Sequence, residues 1–155
     1  MSWGHATSAD LYNWQEEPVA IACTPTSGIF SGSAVVDINN TSGFGTTDNP
    51  PIVAIYTEHQ NDESNQSQCL AFSVDEGATF TKYEGNPVLN INAKNFRDPK
   101  VQWIDNQWIM TVALANDYKI SFYSSPDLKS WKHLSNFGPA AEVGGVWECP
   151  DLIQF

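Results

Sequence analysis

The sequence predicts an all-β fold made of repeated four-stranded units, and three observations carry that prediction. Glycine, proline, asparagine and serine interrupt the 155-residue chain every few residues, so no helical periodicity develops. The apolar runs between these breaks are short and rich in Val, Ile, Phe, Tyr and Trp, the composition of strands. One turn motif also recurs along the chain, and recurrence at a steady interval marks a repeat architecture.

The strands predicted from those runs are Ser33–Asp37, Ile52–Thr57, Cys69–Val74, Phe80–Tyr83, Val101–Ile104, Trp108–Ala113, Ile120–Ser124 and Ile153–Phe155. The recurring turn is Ser8-Ala9-Asp10-Leu11-Tyr12-Asn13-Trp14, echoed by Ser125-Pro126-Asp127-Leu128-Lys129-Ser130-Trp131. Between them stands Ser73-Val74-Asp75-Glu76-Gly77-Ala78-Thr79-Phe80, one residue longer. Each copy follows a short predicted strand: His5–Thr7, Leu70–Phe72 or Ile120–Tyr123. Serine and aspartate bond the local backbone in such a turn, and the closing aromatic is expected to anchor the next strand in the core.

Recurrence every 50 to 65 residues, with about four strands per unit, is the pattern of a β-propeller. Aligned on the turn, one blade runs from about Gly28 to Leu89 and a second from about Asn95 to Leu134, while a third begins near Trp147. The first turn, at Asp10, has no inner strands before it. The alignment therefore predicts about two and a half blades, in a chain that starts inside one blade and stops inside another. On that expectation Met1 is not a natural start, and residues 1–155 form a propeller domain incomplete at both ends.

Composition narrows the function. The length fits one domain, and 41% hydrophobic residues suffice for a core. Eighteen acidic residues against seven basic ones, net −11, argue against nucleic acid or an anionic membrane as partner and suit neutral small molecules. No apolar run of about 18 residues is present, and Ser2-Trp3-Gly4-His5 has none of the features of a signal peptide. Cys23, Cys69 and Cys149 are odd in number and far apart, so they read as free, buried thiols. His5, His59 and His133 are scattered, so neither a metal site nor a cofactor is expected. Asn39, Asn40 and Asn65 each begin an N-glycosylation sequon, usable in a secreted protein.

The chemistry centres on Asn95-Phe96-Arg97-Asp98-Pro99-Lys100-Val101-Gln102-Trp103, which holds the only arginine of the chain. Pro99 fixes its own φ and biases Asp98 towards an extended backbone, placing the carboxylate on a stiff lead-in to a strand. In a propeller the first strand of each blade lines the central axis, so its start faces a shared pocket. Phe30-Ser31-Gly32-Ser33, Arg97-Asp98-Pro99 and Trp147-Glu148-Cys149-Pro150 take that place in the three units. Together they offer two carboxylates, a guanidinium, hydroxyls and aromatic faces, a set suited to a sugar. Glu148, between Trp147 and Cys149-Pro150, is expected in apolar surroundings of the kind that help a general acid keep its proton.

These residues resemble a known family. Trp3-Gly4-His5-Ala6-Thr7-Ser8 with Asp10-Leu11 and Trp14, Phe30-Ser31-Gly32-Ser33, Arg97-Asp98-Pro99-Lys100-Val101 and Glu148-Cys149-Pro150 fall in the order and spacing of glycoside hydrolase family 32. That family holds fungal and yeast invertases, inulinases and related β-fructofuranosidases. The resemblance implies a five-bladed propeller followed by a β-sandwich, which this chain lacks, and retaining hydrolysis of terminal β-fructofuranosides without a cofactor. It implies Glu148 as acid/base, Asp98 as transition-state stabiliser and Arg97 as the group orienting the carboxylates and binding sugar. Phe30, Ser31 and Cys149 would contact substrate. The nucleophile of the family belongs to an upstream Trp-Met-Asn-Asp-Pro-Asn-Gly stretch that does not occur here. The parent protein is thus expected to be an extracellular enzyme acting on sucrose or inulin-type fructan, and this polypeptide alone to be inactive.

Other readings fit less well. A sialidase would bind its carboxylate substrate with an arginine cluster, and this chain has one arginine. A non-catalytic sugar-binding propeller has little reason to keep both Asp98 and Glu148, and a purely structural one predicts no chemistry at the strand starts. Sucrose, inulin, levan and fructosyl transfer differ by loops around the pocket, with invertase slightly ahead.

Overall fold

The computed structural model describes residues 1–153. Its strands are β1 (Trp3–Thr7), β2 (Gln15–Ile21), β3 (Ser27–Val36), β4 (Ile52–Gln60), β5 (Gln66–Ser73), β6 (Thr81–Lys82), β7 (Leu89–Ala93), β8 (Phe96–Ile104), β9 (Gln107–Leu114), β10 (Lys119–Ser125) and β11 (Lys132–Phe137), with one 3₁₀ turn at Ala115–Asp117. They form three antiparallel sheets: β1-β2, β3-β4-β5-β6 with β7 also on β5, and β8-β9-β10-β11. Consecutive strands pair along each sheet apart from β7, and the three sheets are blades of a β-propeller.

The middle sheet is covered on both faces, and its sequence says why. Successive strand side chains point to opposite faces. Val53 and Ile55 of β4, with Leu70 of β5, pack against Phe96, Val101, Met110 and Val112 of the third sheet. Ala54 and Tyr56, with Cys69 and Ala71, pack on the other side with Ile21 and Ile29. Both faces being buried, β4 reads as a continuous apolar run rather than an alternation. Polar bonds join the sheets: Ser33 Oγ donates to Pro99 O at 3.0 Å and accepts from Val101 N at 3.1 Å, and Trp108 Nε1 donates to Thr41 Oγ1 at 2.8 Å.

The turn motif folds the same way three times. Ser8, Ser73 and Ser125 close β1, β5 and β10, and each hydroxyl bonds the aspartate two residues on. The residue after the aspartate is left-handed in every copy, with φ +67° at Leu11, +60° at Glu76 and +64° at Leu128. The closing aromatic departs from expectation in the first copy, where Trp14 is 60% exposed. Trp131 packs against the core as expected.

The expected blades correspond to β3–β7 and β8–β11. Strands β2, β7 and β11 escaped the sequence reading: each pairs on one side only, and every residue of β11 is exposed. Residues 138–153 contain no strand. The strand expected at Ile153–Phe155 ends on two residues outside the described range. The cysteine expectation needs correcting: Cys69 is buried, its thiol pushed up to about 12 by burial, but Cys23 and Cys149 lie exposed in loops.

Candidate active site

The site is built on two β-bulges. The β3–β4 register slips between Ile29 and Gly32, taking Phe30 and Ser31 out of the ladder. The β8–β9 register slips between Arg97 and Lys100, taking Asp98 and Pro99 out. An extra residue in one strand re-aims the side chains around it, and here both bulges fall in the first strand of their sheets. Gly32 allows the first, since a Cβ there would strike the Ile55 carbonyl and lie 2.7 Å from Tyr56 Cα. Asp98 is not extended as Pro99 suggested; its φ is +64°. The bulge overrides the pre-proline bias, and aspartate is among the side chains that tolerate this region best.

Asp98 is 7% exposed. Its N–H donates to Thr57 Oγ1 at 3.0 Å, and its Oδ2 accepts the Cys149 N–H at 3.0 Å. Arg97 donates through Nε and a terminal nitrogen to Glu148 Oε1, at 3.2 and 3.0 Å, and through the other terminal nitrogen to Asn95 Oδ1 at 2.8 Å. Its Nε is also 4.0 Å from Asp98 Oδ2. One guanidinium thus stands between two carboxylates, offsetting their repulsion at close quarters.

Glu148 differs from expectation. Its side chain is 54% exposed and paired with Arg97 rather than enclosed by apolar groups. The adjacent Trp147 packs elsewhere, on Phe137 with ring centroids 6.2 Å apart, and donates to Glu142 O at 3.0 Å. The chain therefore separates the indole from the carboxylate beside it. Cys149 has φ +47°, and its thiol is pushed up by partial burial and by the Asp98 and Glu148 carboxylates.

All six residues singled out in the sequence (Phe30, Ser31, Arg97, Asp98, Glu148 and Cys149) line one open cleft of about 550 Å³. His59, Gln66, Lys94 and Asn95 line it too and were missed. Phe30 stacks on His59 at 4.5 Å with 23° between planes, His59 Nδ1 lies 3.2 Å from Gln66 Nε2, and Trp3 Nε1 donates to Phe30 O at 2.8 Å. Asn95, two residues before Arg97, was the one with a local signal; the others needed the fold. Among the described residues no group of three or more His, Cys, Asp or Glu could hold a metal ion. A held carboxylate, an exposed one, a guanidinium and an aromatic wall suit hydroxyl-rich ligands.

Residues 1–155 match the family model for the glycosyl hydrolases family 32 N-terminal domain. The chain belongs to glycosyl hydrolase family 32. Invertase 2 of Saccharomyces cerevisiae is 51% identical over 158 residues, which cover 98% of this chain and 29% of the invertase. The extracellular exo-inulinase of Aspergillus niger is 43% identical over 180 residues, covering 99% of this chain and 34% of the inulinase. The structure of fructofuranosidase from Schwanniomyces occidentalis complexed with fructose superposes with a TM-score of 0.90 at 49% identity, covering 98% of this chain and 30% of that one. The chain thus spans about a third of the length of these family 32 relatives.

Proposed function

We propose that residues 1–155 are part of the catalytic propeller of an extracellular retaining glycosidase that releases terminal β-D-fructofuranosyl residues, with sucrose as the favoured substrate. The observation that carries this reading is the cleft joining Asp98 and Glu148 through Arg97 and the Cys149 N–H, across 51 residues of chain. Glu148 protonates the leaving oxygen, then, as a carboxylate, takes a proton from the water that releases the sugar. Asp98 grips fructose hydroxyls and strengthens that grip as positive charge grows on the ring. Arg97 orients both carboxylates, while Phe30, Ser31 and Cys149 border the fructosyl unit.

The nucleophile is assigned to sequence outside this chain, facing Glu148 at about 5–5.5 Å as retaining chemistry requires. A polymeric fructan is the second reading, supported by the likeness to an exo-inulinase; transfer to another sugar differs only in the acceptor. The test is the full-length protein assayed with sucrose and with inulin. Release of fructose supports the glycosidase and ranks the substrates. Sugar binding without release would favour a non-catalytic propeller instead.

A further inference from the structure

We propose that Thr57 and Gln68 are positioning residues for the cleft: a buried polar relay from the middle sheet holds the left-handed backbone at Asp98 and, through it, the Glu148–Cys149 loop. The functional consequence rests on the fructosidase reading above, whereas the relay itself rests on geometry alone.

The β8 bulge frees the Asp98 N–H from its ladder, and a buried N–H left without an acceptor is costly. Thr57 Oγ1, on β4, supplies the acceptor at 3.0 Å. Its own proton goes to Gln68 Oε1 at 2.8 Å, and Gln68 Nε2 donates to Phe96 O at 2.8 Å. Thr57, Gln68 and Phe96 are all 0% exposed, so each link lies out of reach of competing water. Committing the hydroxyl proton to Gln68 turns a lone pair towards Asp98, which an aliphatic side chain cannot do. Phe96 O and Asp98 N–H flank Arg97, so the relay grips the bulge on both sides of the guanidinium-bearing residue. The held Asp98 then accepts the Cys149 N–H, extending the constraint to Glu148.

Position argues for this role over plain core filling. Thr57 pairs with Gln68 in the β4–β5 ladder, and Ile55 pairs with Leu70 two residues further along the same face. An apolar pair would continue that core with no polar groups to satisfy. The polar pair appears where the face meets the bulge.

The test uses the full-length protein with Thr57→Val, Thr57→Ser and Gln68→Met, read by amide exchange and by kinetics on sucrose. For Thr57→Val we expect faster exchange in peptides holding Asp98 and Cys149, and a kcat lower by about 10- to 100-fold with KM changing less. Thr57→Ser keeps the hydroxyl and should stay within about threefold of wild type. A folded Thr57→Val with wild-type kcat and exchange overturns the relay, as does a Thr57→Ser as impaired as Thr57→Val. If Thr57→Val does not fold, a folded Gln68→Met with wild-type kcat and exchange overturns it equally. A wild-type protein that releases no fructose defeats the fructosidase reading alone, and the exchange data then decide the relay.

Discussion

Two sets of carboxylates in this chain behave in opposite ways. Asp10, Asp75 and Asp127 bond only residues of their own turns, none more than four positions away. Asp98 and Glu148 bond partners 51 residues away. The turn carboxylates are held in the charged form by local donors. Bonds from Asn13 hold Asp10 well below the usual carboxylate range, and the Ser73 and Thr79 hydroxyls take Asp75 to about 2. At Asp127 partial burial pulls the other way but is outweighed by bonds from Ser130 and Lys129. The three turn carboxylates shape their own turns, while Asp98 and Glu148 join distant segments in the cleft.

That contrast can be broken most sharply at Glu148. On the proposed reading, Glu148→Gln in the full-length protein should cut turnover by about 10²- to 10⁴-fold, the worth of a general acid, with circular dichroism and Tm unchanged. Near-normal activity would remove its assignment as acid/base. Asp98→Asn should lower kcat by about 10²- to 10³-fold, as losing transition-state stabilisation does. A variant that lost stability but kept its turnover would move Asp98 into the structural set. Gly32→Ala should cost about 1–3 kcal/mol of stability in urea titrations, because β3 must draw back from the Ile55 carbonyl it now touches.

The smallest effect belongs to the turns. The folded-state pKa of Asp75 lies below its ordinary 3.8, so its stabilisation is present in full above that value and lost as pH falls through about 2. Asp75→Asn should therefore have a lower Tm than wild type at neutral pH, with the gap closing between about pH 4 and pH 2. A gap that persisted at pH 2 would mean that charge on Asp75 contributes nothing.

What could be read from the sequence follows the same division. The turns were legible because Ser and Asp act on their own neighbours, so three copies of one motif, the middle one a residue longer, pointed to a repeat of blades. Strand β4 was legible because burial on both faces demands an unbroken apolar run. Edge strand β11 was not, since nothing covers its side chains. The six cleft residues came from strand starts and from the family motifs. The φ of Asp98 and the bonds from Thr57 and Gln68 were hidden, because a bulge and a relay between blades depend on contacts 28 to 41 residues apart. Glu148 was misjudged by its neighbour Trp147, whose ring packs away from the carboxylate.

The most direct test is a crystal structure of the full-length protein bound to fructose. The account predicts fructose hydroxyls within hydrogen-bond distance of the Asp98 carboxylate, with Phe30 against the sugar and Glu148 on the leaving-group side. Fructose bound at another face, with Asp98 making no contact to it, would contradict the central claim.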